Sequence, residues 1–152
     1  MYKLWAVPIL VFLIAVGDHP FVRAQSSGNP ALPSCGAGDV KDGNPGTGPS
    51  VIKIKFRPGC VIPWHWHTPN ERVVMISGSA KAEMKGMAPV MLKQGDFIVL
   101  SAKQVHQFTA TTAVEIYDFS DSPFDIHYVD ATGKEIPYQD ALRSTQPAAT
   151  KP

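Results

Sequence analysis

From Val51 onward the chain alternates apolar and polar residues in short runs. "VIKIKF" at 51–56 sets Ile52, Ile54 and Phe56 against Lys53 and Lys55. That period of two predicts a strand with one wet face. Further strand-like runs lie at 61–67, 71–77, 79–85, 89–93, 96–100, 104–110, 112–119 and 124–129. Gly59, Gly78, Gly86, Pro89, Gly95 and Pro123 punctuate the junctions. Many short strands at close spacing predict an all-β fold, an antiparallel barrel or sandwich, over residues 51–130. The one helical pattern is short, around Tyr138 to Arg143. No internal repeat is visible.

The flanks read differently. Leu4 to Val16 is an unbroken apolar run of 13 residues after Lys3, followed by the polar "GDHPFVRA". That is the layout of a secretory signal peptide, residues 1–24, cut after Ala24. The run is shorter than the ~20 residues that span a bilayer. A periplasmic or secreted protein is expected, without membrane attachment after cleavage. Residues 25–50 are rich in Ser, Gly, Pro and Asn and read as a flexible N-terminal arm. Residues 131–152 read as a C-terminal tail ending in "QPAATKP".

Composition narrows the choices. The 152 residues suit one domain, and the 44% hydrophobic share supports one core. Net charge is +1. Losing Lys3, Asp18 and Arg23 with the leader leaves acids and bases in balance, so nucleic acid is not an expected partner. Secretion would permit a bridge between the two cysteines, Cys35 and Cys60. Two independent thiols fit the sequence equally well. No stretch resembles a nucleotide loop, a nucleophile elbow or a CxxC pair.

The concentrated chemistry lies in "PWHWHTPNE". His65 and His67 alternate in one strand, so both imidazoles point to one face, with α-carbons roughly 6.5–7 Å apart. Two rings so placed can grip one ion at about 2.1 Å. Pro69 and Asn70 suit a bend that returns Glu71 to the same site, as a ligand or as a base beside it. His106, on a later strand, is the fourth candidate. Buried imidazoles and a carboxylate need compensation, which a divalent metal provides. His127 reads as an ordinary core or surface residue.

Gly59, His65, His67, Glu71 and Gly78 stand at spacings that resemble the first motif of the cupin superfamily at every fixed position. Gly95 and His106 match its second motif, whereas Ser101, Lys103 and Ala110 replace the family's Pro, Gly and Asn. Sixteen residues separate the two motifs, and the resemblance runs from about Val51 to Phe119. It implies a double-stranded β-helix, or jelly-roll barrel, holding one divalent transition metal (Fe, Mn, Ni, Cu or Zn) on His65, His67, Glu71 and His106. The family's activities include dioxygenases, isomerases, lyases and non-catalytic binding proteins.

Parity extends the reading. Val73 and Met75 continue the Glu71 face, and Phe108 continues the His106 face, as an apolar pocket wall for a small organic molecule. Met84, Met87 and Met91 are expected to fill gaps in the core. Trp64 and Trp66 would face outward. They would need cover from an extension of the sheet, from the 25–50 arm, or from a second copy, and a homodimer is the expectation. An apolar wall without a clear acid–base pair favours a dioxygenase. An isomerase or lyase would need a further base, for which Glu115 and Tyr117 are candidates. A binding module without turnover is the third class.

Overall fold

The computed structural model describes residues 32–144, so the expected leader and the last residues of the tail lie outside the described residues. The alternating runs become ten strands. They are β1 (Gly36–Gly43), β2 (Ser50–Phe56), β3 (Val61–Trp66), β4 (Glu71–Ser77), β5 (Ser79–Met84), β6 (Val90–Lys93), β7 (Phe97–Leu100), β8 (His106–Ala110), β9 (Val114–Ser120) and β10 (His127–Tyr128). One helix, α1 (Tyr138–Ser144), follows. The strands form two five-stranded sheets, ordered β1-β2-β9-β4-β7 and β10-β3-β8-β5-β6, and among the described residues neighbouring strands pair antiparallel.

Inward residues come from the alternation. Ile52, Ile54 and Phe56 of β2 meet Val114 and Ile116 of β9 and Met75 of β4 on one sheet. Ala80, Ala82, Phe108 and Ala110 supply the facing sheet. Small alanines opposite large aliphatics let the two layers interdigitate. The β4–β5 turn requires Gly78. It has φ 79°, and a Cβ there would lie 2.0 Å from the Ala113 carbonyl oxygen.

Three expectations change. Gly36–Gly43, read as part of a flexible arm, is an edge strand paired along β2. Its side chains are mostly exposed, so no apolar alternation marks it; backbone hydrogen bonds hold it, and Cys35, bonded to Cys60, ties its start to the barrel. The second is Met87 and Met91, which are 59% and 61% exposed, while only Met84 joins the core. Met87 sits in the turn after β5. Met91 lies on the outer face of edge strand β6, where Leu92 takes the inward place. Finally, part of the C-terminal tail packs: Ala141 of α1 is fully buried, and the Tyr138 hydroxyl donates to the Leu32 carbonyl at 2.6 Å.

Trp64 and Trp66 take outward, half-buried positions. Trp66 is covered by the sheet's own extension. β10 pairs beside β3, and the His127 ring stacks on the indole at 3.9 Å and 3°. Trp64 shares a surface groove with Val129, Ala131 and Ile136. Among the described residues, β10 therefore covers part of Trp66.

Candidate metal centre

His65 is carried by β3 and directly faces His106 of β8 across the ladder. The register slips between Ile62 and His65, so that three steps on β3 match two on β8. Pro63 sits in that slip, where a residue with no N–H costs the ladder nothing. The bulge turns His65 inward although Ile62, an odd number of residues away, also faces inward. His67 lies just past β3, and the "TPN" corner then carries the chain to the other sheet, where Glu71 opens β4. The site thus joins the two layers: three imidazoles from one side, one carboxylate from the other.

Each imidazole is fixed in the same way. The Nδ1–H of His65 donates to the Pro63 carbonyl at 2.7 Å, and that of His106 to the Gln104 carbonyl at 2.8 Å. His67 Nδ1–H donates to the Asp125 carbonyl. A backbone acceptor on Nδ1 selects one tautomer and leaves the Nε2 lone pair free. The Nε2 atoms of His67 and His106 lie 3.3 and 3.2 Å from Glu71 Oε2. All four residues are buried, and their ligand atoms lie within 4.8 Å of one another.

The electrostatics call for a cation. Burial, then His106 and His67, holds His65 well below the usual imidazole range. Burial pushes Glu71 up, but His67 and His106 outweigh it and hold the carboxyl well below the usual carboxylate range. His67 is raised: burial lowers it, and the negative charge of Glu71 beside it more than offsets that. With Nδ1 as the donor, His67 Nε2 is an acceptor facing an acceptor, and both it and Glu71 Oε2 lack a hydrogen-bond partner. One proton would satisfy one such contact. One divalent cation satisfies all four ligands together. The donor set therefore fits a transition-metal ion. Imidazole and carboxylate donors do not choose among Fe, Mn, Ni, Cu and Zn.

The comparisons agree. The family model "Cupin domain" matches residues 52–120. Residues 52–120 of this chain are a cupin domain. Among curated proteins no sequence match is found. Similar solved structures include a conserved protein of unknown function from Streptococcus pyogenes (TM-score 0.52, 16% identity, 62% of this chain and 81% of that chain). KdgF from Halomonas sp. is similar at TM-score 0.51 and 20% identity, over 60% of this chain and 84% of that chain. Salicylate 1,2-dioxygenase from Pseudoaminobacter salicylatoxidans, solved with gentisate, is similar at TM-score 0.53 and 18% identity. That match covers 61% of this chain and only 26% of the dioxygenase. At these identities the likeness is one of fold.

This cupin departs from the family pattern at the turn before its last ligand, and the turn shape survives. Lys103 stands where the pattern has Gly and adopts φ 61°. Its N–H donates to the His67 carbonyl at 2.8 Å, and Ala102 N–H donates to Asn70 Oδ1 at 2.9 Å. The turn that presents His106 is therefore bonded to the corner that presents His67 and Glu71. Lysine in the left-handed region carries strain that glycine would not.

The cavity beside the centre is narrow, about 30 Å³, on the order of two waters by the same measure. Val73 and Phe108 line it, with Ile54, Leu100 and Ile116. Met75 does not, being fully buried deeper in the core. Phe124 and Ile126 close one side from the segment before β10; Phe124 stacks on His67 at 4.4 Å. Thr68 N–H donates to Asp125 Oδ1 at 2.7 Å, which pins that segment over the corner. His127 faces outward, with Nε2 3.2 Å from Asp125 and Nδ1 3.3 Å from Glu135.

Glu115 and Tyr117, the candidate bases, sit on the outer face of β9; Glu115 pairs with Lys53 at 2.7 Å and Lys55 at 3.0 Å. The next residue along β9, Asp118, points inward instead; it is only 3% exposed and in contact with the Glu71 carboxyl. Burial and then Glu71 raise it well above the usual carboxylate range. Sequence reasoning missed this residue. The parity of Val114, Ile116, Asp118 and Ser120 in "VEIYDFS" was the signal that could have found it.

Proposed function

We propose that this metal-binding cupin takes a small organic molecule at the His65–His67–Glu71–His106 centre and acts as an oxygen-dependent dioxygenase. The observation that carries the reading is four buried ligand atoms, mutually within 4.8 Å, opening on an otherwise mostly apolar cavity. A redox-active ion held there supplies a Lewis acid and a meeting place for substrate oxygen and dioxygen. The chain's own residues do the rest. His65, His67 and His106 keep Nε2 unprotonated through their backbone bonds. Val73, Phe108 and Ile116 exclude water and press on the apolar body of the substrate. Because the cavity is narrow, Phe124 and Ile126 must yield for a molecule larger than a few heavy atoms to enter. The expected leader and the Cys35–Cys60 bridge support work in an oxidising compartment outside the cytosol.

The outward placement of Glu115 and Tyr117 withdraws the bases that an isomerase or lyase was expected to use. The test is oxygen uptake by protein loaded with Fe, Mn, Ni, Cu or Zn in turn, over a panel of diketones, flavonols and catechols. Uptake with one redox-active metal, abolished in His65→Ala, is the expected result. Tight binding without uptake would make the protein a binding module. Anaerobic conversion of a carbonyl compound would make it an isomerase or lyase.

A further inference from the structure

Five buried polar side chains line the cavity among the described residues: the four of the cluster, and Asp118. Its place is set by the sheet. On β9 it pairs with Ile52 on one side and Val73 on the other, one inward step beyond the Ser120–Glu71 pair. It therefore stands between the ligand cluster and the apolar wall, where Ile54 and Ile116 pair next along the same two strands. Contact with the Glu71 carboxyl accounts for part of it. Its Oδ1 has no hydrogen-bond partner and is sealed from solvent. An unmatched oxygen at that depth is costly, on the order of the desolvation of a polar group, unless something bound in the cavity meets it.

We infer that Asp118 Oδ1 is a second anchor in this cavity, accepting a hydrogen bond from a hydroxyl that the bound molecule carries next to its metal-binding group. The inference rests on the proposed small-molecule role of the centre and deepens it. A molecule held at the cluster by one oxygen and lying along Val73 and Ile116 passes Asp118 with its neighbouring substituent. A carboxyl oxygen accepts there whether or not the other oxygen carries a proton. The substrate class is then a compact, largely apolar compound with a hydroxyl adjacent to its metal-binding oxygen. Analogues without the hydroxyl leave Oδ1 unmatched, and sites built to bond a substrate hydroxyl reject such analogues strongly.

The experiment uses the full chain loaded with zinc, which is redox-silent, and measures calorimetric binding of three matched pairs: salicylate and benzoate, lactate and propionate, catechol and phenol. Zinc content and a melting curve are taken for each protein. We expect the hydroxylated member of at least one pair to bind about tenfold tighter to the unaltered chain. Asp118→Leu and Asp118→Ala should reduce that preference to about twofold or less, while Asp118→Asn, whose amide oxygen still accepts, keeps most of it. All should hold one zinc per chain. No preference in any pair overturns the inference, as does a preference that survives in Asp118→Leu and Asp118→Ala. Zinc content falling in those variants would make Asp118 a prop for Glu71 instead. An unaltered chain that binds no zinc defeats the metal-centre reading itself, a separate and recognisable failure.

Discussion

The two ends of the barrel interior are built from the same strands and solve opposite problems. Toward one end, Phe56, Met75, Ala80, Ala110 and Val114 pack together in the apolar core. Toward the other, His65, His67, Glu71, His106 and Asp118 fill the same inward positions on the same or neighbouring strands. The apolar end is complete: its side chains need nothing beyond one another. The polar end is complete only on its outer side, where three backbone carbonyls accept the Nδ1–H groups. On its inner side it leaves atoms without partners. A fold that satisfies half of each polar group with rigid backbone and leaves the other half open is prepared for a ligand.

The sharpest way to break that contrast is to remove one imidazole. His106→Ala should lower metal affinity more than 100-fold, since even groups that only orient a ligand are worth 10–100-fold. Metal analysis after dialysis checks it, and full retention would defeat the four-ligand site. Met75→Ala makes the complementary cut at the apolar end. It should cost about 2–5 kcal/mol in urea unfolding and leave metal stoichiometry at one. Replacing both Cys35 and Cys60 with Ser should cost about 3 kcal/mol for a closed loop with sequence separation 25, again without touching the metal.

Acid should separate the two ends as well. Imidazole must be neutral to ligate, so protons compete with the ion. The stabilisation that metal confers is present where the imidazoles are neutral and is lost as pH falls, with protons competing first at His67, whose affinity for a proton is raised, and last at His65, which burial holds low. Melting curves with and without metal should therefore converge in acid; a constant gap down to about pH 4 would contradict histidine ligation. The smallest effect is at the turn. Lys103→Gly should stabilise the chain by about 0.5–1 kcal/mol, the relief of left-handed strain less the added freedom of glycine when unfolded. Destabilisation would show that the Lys103 side chain has a role of its own.

Much of this was legible before any coordinates. Alternation in "VIKIKF" gave β2 its buried and wet faces, and "HWH" placed His65 and His67 on one face because strand side chains repeat every second residue. The same rule put the tryptophans outside. It failed where side chains do not carry the structure. β1 is Gly-rich and mostly exposed, held by backbone pairing that leaves no pattern in composition. Asp118 obeys the β9 parity of Val114 and Ile116, but an acid within an alternating strand reads as solvent-facing until register places it inward.

The sequence by itself determined which residue types stand at ligand spacing, which strand faces are apolar, and where glycine must turn the chain. Those are local facts, fixed by the geometry of one strand or one turn. Only the tertiary structure decided that Glu71 reaches the three histidines from the opposite sheet, that Asp118 stands behind it, and that β10 covers Trp66. Each depends on residues far apart in the chain becoming neighbours through strand register. A bulge such as the one at Pro63 can reverse which face a side chain takes.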